Sequence, residues 1–138
     1  MTTNEDITIY NCRLDEETRR EAYYPTVIRG VSYHESIGES GSPKNRSEAS
    51  GYEIRIPLNA DTSGREYVDA GTYRGLSDAS GYWTIQEDDL IRIGCYPGPA
   101  VYLDELRDAK YMIIGNHADN TKRGSRFTRH WRISCGKE

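Results

Sequence analysis

Cysteine is scarce and scattered: Cys12, Cys95 and Cys135 are the three in 138 residues, odd in number and with no C-x-x-C among them. That spacing excludes a disulfide framework and a zinc knuckle, and free thiols predict a reducing compartment. Large aliphatic side chains are few as well. Leu, Ile, Val and Phe together number 23, about 17% of the chain, under the ~20% level at which disorder becomes the usual reading. The net charge is only −4, however, and 11 Tyr and 2 Trp supply rings that bury well, so a folded domain is predicted. No apolar run approaches the ~18–20 residues of a membrane helix. Residues 1–6 (MTTNED) have neither a basic start nor an apolar signal core, so no membrane association or secretion is expected. A chain of 138 residues makes one domain, residues 1–138, and not two with full cores.

Catalytic signatures are missing too. There is no G-x-S-x-G, H-E-x-x-H or Walker loop. Residues 38–44 (GESGSPK) approach a phosphate loop, but Pro43 stands where the glycine should be and Asn45 where the magnesium-binding hydroxyl should be. Cys95 with His117 or His130 would make a nucleophile and base, without any local signature for the pairing. His34, His117 and His130 show no ligand spacing with Cys135, and residues 87–89 (EDD) read as the solvated corner of a turn. Arg126, Phe127, Arg129, Trp131 and Arg132 interleave cations with rings, as nucleic-acid binders do. Alternation nevertheless turns Phe127 and Trp131 to one face, which makes them core aromatics flanked by exposed arginines. The expectation is a protein that is not an enzyme and uses no cofactor or metal.

What is present is a recurrent strand signal. Residues 7–10 (ITIY) alternate, and so do residues 52–56 (YEIRI), with Tyr52, Ile54 and Ile56 on one side and Glu53 and Arg55 on the other. Residues 26–33 (TVIRGVSY) form a longer strand with Gly30 as a bulge or bend. Residues 82–86 and 90–93 read as a tight hairpin across 87–89. Residues 111–114 and 127–133 make the last pair, joined by a turn-rich stretch over 116–125. Helix is predicted only at 102–110 (YLDELRDAK), about two turns, while 15–23 is a surface helix or a charged loop and 69–71 a polar turn. The fold class is mainly β: a small β-barrel or sandwich with one short helix and a long loop.

That long loop, residues 35–50, has Ile37 as its only large apolar side chain. A connection of this length is either a floppy insertion or an arm that orders against a neighbour. Charge is lopsided as well. Residues 122–138 carry six of the 18 Lys and Arg and one acid, so this end is about +5 and the rest about −9. Such a division suits head-to-tail docking between copies, or simply a solvated basic edge strand.

Several phrases form a set: residues 6–11 (DITIYN), 24–31 (YPTVIRGV), 52–57 (YEIRIP), 67–68 (YV), 83–86 (WTIQ) with 89–94 (DLIRIG), and 119–120 (DN) with 130–132 (HWR). In that order they resemble a family of small structural proteins encoded in the head-to-tail gene blocks of tailed phages of Gram-positive bacteria. The second half is similar in layout to head-completion (head-closure) connectors, with Asp88 where their turn has Gly and Cys135 before the final Gly136 and Lys137. The resemblance implies a virion protein of the head-tail neck, present in host cytoplasm during assembly, that forms a homo-oligomeric ring. Its implied partners are a portal or adaptor protein, a tail-terminator or tail protein, and genomic DNA passing without sequence-specific binding. A tail-terminator or tail-tube subunit is the first alternative, and a small enzyme or ligand-binding barrel the second. On this reading the interface residues are Ser36, Ile37, Pro43, Lys44 and Arg46 in the arm, and Arg123, Arg126 and Arg129 against an acidic neighbour.

Overall fold

The computed structural model describes residues 3–37, 50–122 and 129–137. Six antiparallel strands carry the fold: β1 (Glu5–Asp15), β2 (Arg20–Ile37), β3 (Ser50–Pro57), β6 (Leu90–Ile93), β7 (Met112–Asn120) and β8 (His130–Lys137). Each pairs with two others in the order β1-β2-β3-β8-β7-β6, and β6 returns to β1, so the ladder closes into a barrel. The last seam is narrow, since β6 meets β7 only through Leu90↔Ile113 and Ile91↔Met112. Closure leaves few unpaired edges, a state that short strands reach without a large core.

Alternation decides which residues fill the interior. Ile7, Ile9, Ile28, Val31, Ile54, Ile56, Ile91, Ile114 and Ile133 are all fully buried there, while Glu53, Arg55 and Arg132 point outward. β-branched isoleucine suits this role, because its stiff side chain packs well on a pleated surface. The outer face of β1 is covered as well. Tyr10 packs with Leu90 and Leu106 in a second, smaller cluster outside the barrel. Residues 7–11 therefore have no wet side, although the sequence alternates over 7–10. Gly30 supplies the predicted bulge: Glu5 pairs with Val31 and Asp6 with Arg29, leaving Gly30 extra at φ +83° with its N–H on the Asp6 carboxylate at 3.0 Å.

Between β3 and β6 the chain makes an excursion that stoppers one barrel end. It holds β4 (Glu66–Tyr67), α1 (Ala70–Gly75) and β5 (Tyr82–Trp83), with β4 and β5 pairing in parallel. Trp83 lies against Tyr67 and Trp131, with ring centroids 5.1 and 5.2 Å away. The hairpin predicted from 82–86 to 90–93 does not form, because β5 joins β4 while β6 is claimed by β1 and β7. The acidic corner is corrected with it, since the Asp89 side chain turns inward and is buried.

Other boundaries shift for local reasons. Residues 69–71 open α1 rather than a plain turn, as Asp69 caps it by accepting from Thr72 N–H and the buried Tyr73 anchors it. Of 102–110, only Leu103–Leu106 coils, as a 3-10 turn held by Leu106. Residues 15–23 are the turn and flanking strands of the β1–β2 hairpin. β7 runs on to Asn120 along β8, further than the stretch predicted to start the loop at 116. The long connection is shorter at both ends, because β2 continues to Ile37 and β3 begins at Ser50.

Candidate functional site

The β2–β3 pair outgrows the barrel. On one side β2 loses β1 after Glu5↔Val31, beyond which Asn4 bridges, donating to Tyr33 O at 2.9 Å and accepting from Tyr33 N–H at 2.8 Å. On the other side β3 loses β8 after Tyr52↔Cys135, while the β2–β3 register continues to Ser36↔Gly51 and Ile37↔Ser50. The result is a two-stranded ribbon with no third strand beside it among the described residues. Among the described residues no strand pairs with the outer edge of β2 from His34 to Ile37.

Beside the ribbon, the outer face of β2, β3 and β8 gathers charge. The Glu53 carboxylate meets Arg55 Nε at 2.9 Å, His34 Nε2 at 3.4 Å and Arg132 Nη1 at 3.8 Å. Arg55 and Arg132 stand directly opposite one another in the ladder, an arrangement that repels unless a carboxylate sits between them. Two guanidiniums share that single carboxylate, so the face keeps positive charge in surplus. Both arginines are partly exposed, and such contacts add little stability in water. Their value is as a surface that an acidic neighbour complements.

The predicted interface residues fall around this region unevenly. Ser36 and Ile37 lie on the ribbon. Pro43, Lys44, Arg46, Arg123 and Arg126 lie outside the described residues. Arg129 precedes β8; its carbonyl accepts from Leu58 N–H at 3.0 Å, and its Nε is buried with no hydrogen-bond partner among the described residues. The Glu53, Arg55, Arg132 and His34 cluster was missed. The alternation of 52–56 assigns Glu53 and Arg55 to water but does not indicate His34 and Arg132, which lie across the ladder.

A second polar constellation lies inside. Asn11 occupies an inward position of β1, donating to Thr84 O at 2.8 Å and to Asp89 Oδ2 at 3.0 Å and accepting from Thr84 N–H at 3.1 Å. Asp89 also accepts from Cys12 N–H at 3.1 Å and from Gln86 Nε2 at 2.8 Å. Arg74 of α1 donates to Gln86 Oε1. The bonds of Asn11 and Cys12 tie the excursion to β1 across more than 70 residues of sequence. Burial pushes the Asp89 carboxyl up to about 6, against the opposing pull of its donors Asn11, Gln86 and Cys12 and of the Arg74 charge. Above the network opens a cleft of about 600 Å³, edged by Glu21, Glu87, Asp88 and His117.

The thiols fit no nucleophilic role at this cleft. Cys12 is held up at about 12 by burial, with its Sγ donating to Glu21 at 3.2 Å, which stabilises the protonated form. Cys95 lies 3.9 Å from Asp6 at the start of β1, whereas His117 edges the cleft beside Cys12. Six residues of strand, roughly 20 Å, separate Asp6 from Cys12, so Cys95 and His117 are not brought together. His130 pairs across β7 with Asn120, again away from Cys95. Among the described residues no three His, Cys, Asp or Glu side chains stand close enough to hold a metal ion.

Over residues 1–136 the sequence matches a family of unknown function, DUF6751, and the chain belongs to that family. No curated protein and no solved structure matches it.

Proposed function

We propose that this DUF6751 member is a structural protein of tailed-phage virions, a head-completion connector. Its copies stand side by side in a ring that extends the portal channel and docks the tail. The observation that carries the reading is the ribbon of β2 and β3. An unpaired strand edge in a small soluble domain is a template for another chain, and neighbouring copies are the partners a ring provides. The positive surplus at Arg55 and Arg132 adjoins that ribbon, while the remainder of the chain is acidic. Opposite charges at separate places on one molecule favour heterologous contacts, the kind that close into rings. The resemblance of the phrases at 6–11, 24–31, 52–57 and 83–94 to small phage structural proteins supports the same reading. So does the acidic balance, since a negatively charged surface repels phosphate and lets DNA slide.

The test uses particles of a phage that encodes the chain. Tail-less heads lacking the protein are mixed with the purified full chain and examined by negative stain. A ring at one vertex, together with restored tail docking, is the expected result. A chain that stays off the heads overturns the reading. A location at the far end of the tube, or along it, also overturns it and assigns the chain to the tail.

A further inference from the structure

The two barrel ends differ, and the unstoppered one is built like a binding site. Beyond Ile91 the wall parts, because Arg92 and Ile93 pair with β1 and have no partner on β7. The gap opens into a cavity of about 730 Å³, within the ~300–1,000 Å³ range of small-ligand sites. Four of the 11 tyrosines line it. Tyr33 and Tyr52 stack on each other, with centroids 5.5 Å apart and planes 16° apart. Tyr96 is exposed and carries the Arg92 guanidinium 3.6 Å from its ring centroid. Arg92 Nε is buried without a hydrogen-bond partner among the described residues. Lys110 is exposed on the facing lip, next to Tyr111. Among the described residues of the lining, Asp108 is the only carboxylate.

We propose that this mouth binds a nucleotide whose base is unpaired. Flat tyrosine faces select a flat π-system, and base–aromatic stacking is the recurring way proteins hold unpaired bases. Among the described residues of the lining, two cations stand against one carboxylate within a chain of net charge −4, which suits a phosphate on the same ligand. A bare sugar fits poorly, because the described residues of the lining include no Asn or Gln and one carboxylate to meet its hydroxyls. Duplex DNA is excluded by its own geometry, since stacked and paired bases present no free face. The proposal does not depend on the connector reading.

The test is calorimetric titration of the full chain with AMP, ribose 5-phosphate, an oligothymidylate, and the same oligothymidylate in a duplex. AMP is expected to bind about tenfold or more tightly than ribose 5-phosphate, which lacks the base. Tyr96→Ser and Lys110→Glu, both at exposed positions, are each expected to weaken AMP by about fivefold or more. Binding of both AMP and the single strand supports a site open to free nucleotides. Binding of the strand alone supports an occupant within a longer chain. No heat with AMP or the strand at millimolar concentration overturns the proposal, as does equal affinity for ribose 5-phosphate or for the duplex.

Discussion

Replacing Asp89 with Asn separates the cost of a buried charge from the value of the bonds around it. In the fold the carboxyl keeps its proton up to about pH 6, whereas an aspartate in the unfolded chain releases it near 3.8. Between those values the folded chain binds more protons, so the stability contributed by protonated Asp89 is full at low pH and is lost as pH rises through 6. The difference corresponds to at most about 3 kcal/mol, of which about 2 kcal/mol falls between pH 4 and pH 8. Asp89→Asn keeps the size and removes the titration. It also misaligns one amide group among the donors Cys12 N–H, Asn11 and Gln86, at a fixed cost of about 1–3 kcal/mol. Urea unfolding of both proteins across pH 4–8 measures the two effects. Stability of the variant relative to the parent is expected to rise by about 2 kcal/mol over that range. A difference that stays flat with pH, or moves the other way, refutes the reasoning, because the carboxylate would then be no worse placed in the fold than in water.

Three further outcomes follow from the same physical arguments. Gly30→Ala meets no atom within 4 Å but forces a side chain onto φ +83°, so it should cost about 1–2 kcal/mol in denaturant unfolding, and a neutral result would remove the bulge from β2. Trp83→Ala empties the junction with Tyr67 and Trp131 and should cost about 3–5 kcal/mol, read as a lowered urea midpoint with an unchanged slope. Iodoacetamide with peptide mapping should label exposed Cys95 first. Buried Cys135, pushed up to about 12 by burial, should react only on unfolding, and half-buried Cys12, pushed up to about 12 by burial and by Glu21, should react well after Cys95; early loss of the Cys135 thiol would contradict its place in the core.

The strands with one wet face were legible. In residues 52–56 the charged Glu53 and Arg55 between Tyr52, Ile54 and Ile56 left a single reading, and the ladder to β8 agrees with it. Residues 82–86 misled because an extended segment need not pair along its length. Trp83, Thr84, Ile85 and Gln86 are all buried, yet Thr84 bonds to the Asn11 side chain rather than to a strand beside it. Asp89 looked solvated among Glu87 and Asp88 because its partners Asn11 and Cys12 lie 78 and 77 residues away. A trace of that network was present at Asn11, an amide two residues beyond Ile9 on the inward register, where a polar group needs bonds. The helix α1 was hidden by the two glycines in AGTYRG, since tertiary anchoring at Tyr73 outweighs their poor propensity.

The stopper formed by Trp83 has a consequence for any assembly built from this chain. With isoleucines packing the hollow and an indole seated at its base, no polymer threads through a single molecule. In the ring proposed above, whatever passes would travel down the shared axis and meet only the outward-facing side chains of successive copies. The fit of that bore would be governed by residues that contribute little to folding, which would leave its charge and width free to change without loosening the protein that frames it.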